Sequence, residues 1–152
     1  SMWFKTGTSL GSEGYQMLLG GSNYSTGSGK GLGYYLFSNR VITWIYNGSS
    51  AINIFDSSPS TLNSSSWYNL VLVREYGVEW RWYLNNSLLG VNNTQGLSFN
   101  FNSSVSHIGA HYNVPGSYNF KGRIAKCSVY DEALTVQDVN TVWNNSKSRF
   151  GL

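Results

Sequence analysis

Trp67-Tyr-Asn-Leu-Val-Leu-Val-Arg74, followed by Glu75-Tyr-Gly77 and Val78-Glu-Trp-Arg-Trp-Tyr-Leu84, decides how this chain folds. β-Branched and aromatic residues fill both runs, and side chains two apart share one face of an extended strand. The breaks are turn chemistry. Tyr76-Gly77 reverses the chain once, and Asn85-Asn86 reverses it again into Ser87-Leu-Leu89. Asn tolerates the left-handed backbone that a tight hairpin turn needs.

Working outward, the same pattern recurs. Met2–Thr6, Tyr15–Leu19, Gly33–Phe37, Arg40–Tyr46 and Ala51–Phe55 read as strands before the central pair. Ser38-Asn39 is a short turn and Asn47-Gly48 a strong type I′ signal. Gly20–Gly31 and Ser57–Ser66 read as loops. Downstream, Ser98–Phe101, Val105–Gly109 and a long run over Asn119–Tyr130 are strand-like, with a loop over Ala110–Tyr118. Only Asp131–Asn145 looks helical, with Thr135 as N-cap, Asp138 in the first turn, and Val136, Val139, Val142 and Trp143 on one face. Ten or more short strands and one late helix predict an all-β, two-sheet antiparallel sandwich. No boundary divides residues 1–152, so a single domain is expected. The chain enters a strand with no lead-in, which reads as a piece of a longer protein.

Composition narrows the class further. Ser (24), Gly (17) and Asn (17) replace the Ala, Glu, Lys and Leu of a helical bundle, and 24 aromatic residues exclude a disordered tail. The apolar runs are far shorter than the roughly 20 residues of a membrane-spanning helix. The net charge of +3 is scattered, with Lys121, Arg123 and Lys126 the nearest approach to a cluster. Such a triplet reads as a solvated strand face, so no nucleic-acid partner is expected. Cys127 stands alone, so no disulfide forms within the chain; its strand setting predicts a buried packing thiol.

Five motifs in order carry a resemblance. They are Trp67-Tyr-Asn-Leu-Val, Trp82-Tyr-Leu-Asn-Asn, His107-Ile-Gly109, Phe120-Lys-Gly-Arg-Ile124 and Val129-Tyr-Asp-Glu-Ala-Leu-Thr135. Together they resemble the concanavalin A-like jelly-roll superfamily, in its laminin G-like and pentraxin-like branch. The resemblance covers Trp67 to Trp143. It departs from the pattern at Asn86, where the hairpin usually carries Gly, and in lacking the usual opening strand, whose edge Arg149-Phe-Gly-Leu152 or a neighbouring segment would cover. The ending Asn144–Leu152 is similar to the close of such domains in bacteriophage and marine-virus structural proteins.

The resemblance raises glycoside hydrolysis, calcium and sugar binding. Hydrolysis needs two facing carboxyl groups. Glu13, Asp56, Glu75, Glu79, Asp131, Glu132 and Asp138 are the whole supply, and they read as turn charges or helix-start anions. No Gly-x-Ser-x-Gly turn, phosphate loop or Cys/His metal spacing is present, so no enzyme is expected. Calcium wants six to eight oxygens, several from carboxylates. The two places that the pentraxin-like pattern implies read Ser28-Gly-Lys-Gly31 and Ala110-His-Tyr-Asn-Val114, which hold none. No cofactor is expected; Asp56 with backbone carbonyls is the one place left open for a weak calcium site.

The resemblance brings the same two loops to one face, where they offer Tyr24, Lys30, His111, Tyr112, Asn113 and Tyr118. Aromatic faces stack on sugar C–H surfaces while amide and charged groups bond hydroxyls. The expected partner is therefore a glycan or glycoconjugate, with neighbouring domains of a parent protein and no membrane insertion. The reading is a non-catalytic lectin-like module, extracellular or on a virion surface. Its rivals are a structural or protein-interaction module and a divergent glycosidase. His107, Trp80 and Trp82 read as structural.

Overall fold

The computed structural model describes residues 1–10, 14–21, 30–47, 50–58, 61–93, 106–110 and 118–152. Their contacts gather into two units, each assembled from segments distant in sequence and each built on one five-stranded antiparallel sheet.

The first unit holds β1 (Met2–Lys5), β6 (Trp67–Glu75), β7 (Glu79–Leu84), β8 (Ser87–Asn92) and β10 (Arg123–Cys127), in the order β10-β1-β6-β7-β8. Both faces are buried in its three central strands, β1, β6 and β7. Phe4, Tyr68, Leu70, Trp80 and Trp82 fill one, and Trp3, Asn69, Val71, Val73 and Tyr83 the other. Burial on two faces explains why Trp67–Val73 is nearly continuous in apolar residues rather than alternating. Trp80 and Trp82 pack inside, as their strand position implied. The hairpin between β7 and β8 turns on Asn85 and Asn86, both at positive φ (47° and 68°), so two Asn residues do what Gly usually does there.

Helix α1 (Val136–Asn144) covers the Val71 face through Val139 and Val142, joined by Leu134 from the segment just before it. It starts where the sequence reading put its cap. The Thr135 hydroxyl accepts from the Asp138 N–H, and the Asp138 carboxylate accepts in return from the Thr135 N–H. Residues 131–135 lie outside the helix, and Val136, expected on its apolar face, is 55% exposed. The first-turn position turns Val136 away from the sheet that Val139 contacts. A final 3-10 turn (Lys147–Phe150) sets Phe150 against Trp3 and Trp67. Strand β1 is hydrogen-bonded on both sides, so Phe150 covers a ring face and not a strand edge.

The second unit holds β2 (Gln16–Gly21), β3 (Lys30–Phe37), β4 (Arg40–Asn47), β5 (Ala51–Asp56) and β9 (Ser106–Ile108), in the order β5-β4-β3-β2-β9. Strands β2 and β3 run further into the Gly-rich segment than the sequence suggested, taking in Gly20, Gly21, Lys30 and Gly31. One face buries Leu32, Tyr34, Leu36, Val41, Thr43 and Ile45. The other carries a smaller cluster of Met17, Tyr35 and Ile42, flanked by half-buried Tyr15, Phe37 and Trp44.

The long strand expected over Asn119–Tyr130 is divided. Met17 N–H donates to the Tyr118 carbonyl and Lys121 N–H to Gln16 Oε1, so this part belongs with β2. After Gly122 the chain pairs with β1 as β10. Cys127 is half-buried in that outer strand, not enclosed as its apolar neighbours implied. Ser98–Phe101 and most of the Asn47-Gly48 turn lie outside the described residues.

Candidate functional site

One end of the second sheet carries a continuous row of side chains. Tyr15 stands immediately before β2, Phe37 ends β3, Arg40 begins β4 and Asp56 ends β5. Tyr118 lies beside β2, fixed by the 2.8 Å bond from Met17 N–H to its carbonyl. The Tyr118 and Tyr15 ring centroids are 6.3 Å apart. Tyr15 stacks on Phe37 at 4.3 Å and 23°. The Arg40 guanidinium sits 5.4 Å from the Phe37 ring centre, and Arg40 Nη1 donates to Asp56 Oδ2 at 2.7 Å. Trp44 backs the row, 5.1 Å from Tyr15 and 5.5 Å from Tyr35, over the buried Met17, Tyr35 and Ile42.

Local sequence explains the placement. Ser38 and Asn39 both adopt positive φ (46° and 68°), the signature of a two-residue hairpin turn, and so set Phe37 opposite Arg40. The corner is braced from outside. The Asn39 carbonyl accepts from Thr61 N–H and Leu62 N–H, and Ser57 Oγ accepts from Val41 N–H at 2.8 Å. Gly33 faces Trp44 across the ladder, and a Cβ there would overlap the Tyr35 ring, so the ring's seat requires a residue without a side chain. The row thus offers flat apolar rings at one end and a balanced donor–acceptor pair at the other.

Of the residues expected to bind, Tyr118 falls in this row. Lys30 opens β3 opposite Asn47, whereas the Tyr118 contact is level with Tyr35. Five residues of strand at roughly 3.3 Å each put these two about 17 Å apart along the sheet, so the structure does not bring them together. Tyr24, His111, Tyr112 and Asn113 lie outside the described residues. Sequence reasoning passed over Tyr15, Phe37, Trp44, Arg40 and Asp56 as a site. The Ser38-Asn39 turn was the available signal, since it fixes Phe37 against Arg40.

Four of the described carboxylates have partners within the fold. Asp56 is paired with Arg40, Glu75 and Glu79 both contact Arg81 (3.3 and 3.4 Å), and Asp138 closes the helix cap. Among the described residues no group of three His, Cys, Asp or Glu gathers where it could hold a metal. On the opposite face of the sheet, burial pushes the Tyr34 phenol well above its ordinary value and keeps it protonated.

Two five-stranded antiparallel sheets with one short late helix define the all-β class of concanavalin A-like jelly rolls. The chain belongs to the concanavalin A-like lectin/glucanases superfamily, whose laminin G-type model matches residues 1–140. Its fold is similar to a crystal structure of an HCR/D mutant, at 14% identity and a TM-score of 0.66, over 95% of this chain and 36% of that one. It is also similar to a native heptameric SAP-like pentraxin from Limulus polyphemus, at 19% identity and a TM-score of 0.63, over 93% of this chain and 67% of that one. The chain thus spans little more than a third of the HCR/D chain. No curated protein matches it. Among the described residues no helix is long and apolar enough to cross a membrane.

Proposed function

We propose that the chain is a non-catalytic carbohydrate-recognition module of a larger extracellular or virion-surface protein. The observation that carries this reading is the ring of Tyr118, tied by its backbone to β2 and joined through Tyr15 to the stacked aromatic row. Half-buried aromatic rings gathered at one end of a sheet are the kind of surface on which sugar C–H groups pack. The loop residues Tyr24, His111, Tyr112 and Asn113 remain part of the proposal, with Tyr118 as the neighbour of the sheet, while Lys30, at the far end of β3, would serve a separate contact. The reading is metal-free: the Arg40 guanidinium, 2.7 Å from Asp56 Oδ2, would repel a cation at the one place open to a weak calcium site. The ion pairs that tie Asp56 to Arg40, and Glu75 and Glu79 to Arg81, support the non-catalytic part of the reading, since hydrolysis needs a free acid and a free base.

A glycan array probed with the purified chain, with and without chelator, tests it. Binding that survives chelator and is lost in Tyr112→Ala or Tyr118→Ala is the expected result. Binding that needs calcium would overturn the metal-free reading, and a folded protein that retains no glycan would overturn the module itself.

A second reading, a structural or protein-interaction module of a particle, is favoured by one observation. Val129 (86% exposed) and Tyr130 (40% exposed) lie just past the end of the outer strand β10, after Ser128. Exposed apolar side chains beside an edge strand suit assembly.

A further inference from the structure

We infer that the row across the second sheet is an extended subsite for an uncharged, hydroxyl-rich oligosaccharide, in which Phe37 and the Arg40–Asp56 pair hold the end remote from Tyr118. This rests on the glycan-binding reading and names its ligand class. Length is the first argument. The row takes one residue each from the Tyr118 segment, the residue leading into β2, and β3, β4 and β5, and neighbouring strands are about 4.8 Å apart, so it spans about 19 Å. That is several pyranose widths, which suits a linear chain rather than a single sugar.

Charge is the second argument. Arg40 and Asp56 are 26% and 29% exposed, and they neutralise one another at 2.7 Å. A guanidinium carries five N–H donors and the bond to Asp56 uses one; a carboxylate has further lone pairs to accept with. The pair therefore offers donors and acceptors together with no net charge. A sugar hydroxyl, itself both donor and acceptor, matches that pattern. A sulfate or carboxylate on the ligand would find the Arg40 charge already balanced by Asp56 and would have to displace that carboxylate to use it. Rigidity is the third argument. The braced Ser38-Asn39 corner holds Phe37 and Arg40 in register before any ligand arrives, so little ordering cost is left for binding.

The test is an array of linear neutral glucans, xylans, mannans and galactans of two to eight residues, printed beside their sulfated and sialylated counterparts. The wild type should retain neutral chains, with signal rising with chain length. Phe37→Leu, which keeps the apolar bulk but removes the flat face, should weaken the longer chains about tenfold and leave disaccharides unchanged. Asp56→Asn, which leaves Arg40 unbalanced, should move retention toward the acidic glycans. Two results would overturn the inference while leaving the module reading intact. One is a wild type that prefers acidic glycans. The other is a pair of folded variants that bind as the wild type does while Tyr118→Ala loses binding. A folded wild type that retains nothing would remove both readings.

Discussion

Trp3 and Trp143 lie nearly parallel, 9° apart, with ring centroids 5.4 Å from one another. Trp3 is fully buried in β1, while Trp143 comes from the last turn of α1. Phe150 adds a second stacked ring on Trp3 at 4.4 Å and a tilted contact to Trp67 at 4.6 Å. Stacked aromatic pairs contribute about 0.5–1.5 kcal/mol beyond the area they bury. The helix is therefore held to its sheet at both ends, by Val139 near its start and Trp143 near its close.

Trp143→Ala should cost about 3 kcal/mol, the lower part of the range for aromatic truncation, because Trp143 is only half-buried. Val136→Ala, on the exposed side of the same helix, should change stability by less than about 0.5 kcal/mol. Urea denaturation of both variants decides it. Equal losses would mean that the apolar face is the one drawn from the sequence, with Val136 inside it.

Asn86 does two jobs. Its φ of 68° is a conformation that side chains seldom adopt, and its Nδ2 donates to Asn140 Oδ1 at 2.6 Å, joining the β7–β8 hairpin to α1. Asn86→Gly relieves the backbone but deletes the bond, so its net cost should stay below about 1 kcal/mol. Asn86→Ala loses the bond and keeps the strained φ, and should cost about 1–2 kcal/mol. Thermal melts of the two variants should rank Gly above Ala. The reverse order would mean that neither the φ nor the bond governs this turn.

Much of the fold was legible because local patterns agreed with one another. Trp67–Val73 had the right residues, Gly77 and Asn85-Asn86 stood where reversals were needed, and Thr135 preceded a helical stripe. What was not legible depended on pairing between distant segments. Nothing in Phe120-Lys-Gly-Arg-Ile124 says that hydrogen bonding passes from β2 to β1 at Gly122. Gly20, Gly21 and Gly31 read as loop because Gly has no strand propensity of its own, yet they sit in paired strands. The row was hidden for the same reason. Alternation shows that Tyr35 and Phe37 share a face. Only the register of four strands and the segment beside them shows that Tyr118, Tyr15, Phe37, Arg40 and Asp56 meet at one end of the sheet.

Gly33→Ala should disturb the candidate site through its base. The added methyl would overlap the Tyr35 ring, which is 97% buried between Met17 and Ile42 and has nowhere to retreat. Overpacking of this kind costs about 1–3 kcal/mol. Gly20→Ala should cost less, because the overlapping atoms there are the flexible end of Met17. Denaturation midpoints give the order, and near-ultraviolet circular dichroism should show the loss of fixed aromatic packing in Gly33→Ala alone. An unchanged aromatic spectrum would mean that the Tyr35 ring finds another seat.

The helix cap makes one carboxylate sensitive to acid. The Thr135 hydroxyl donates to Asp138 Oδ2 at 2.6 Å and the Thr135 N–H donates to it at 2.9 Å. The side-chain bond first and the backbone bond second hold the Asp138 carboxyl below its ordinary 3.8. A group depressed in the folded state binds fewer protons there than in the unfolded chain, so it stabilises the fold above pH 3.8, and that contribution is lost as the pH falls through the lower folded value. Thr135→Val removes the hydroxyl while leaving the N–H. The Asp138 carboxyl carbon, followed by NMR through an acid titration, should then titrate nearer its ordinary value without reaching it, since the backbone bond remains. Loss of the hydroxyl's return contact to Asp138 N–H should also shorten the ordered helix at its first turn, as read by faster amide exchange there. An Asp138 midpoint unmoved by Thr135→Val would mean that the N–H alone holds the carboxylate.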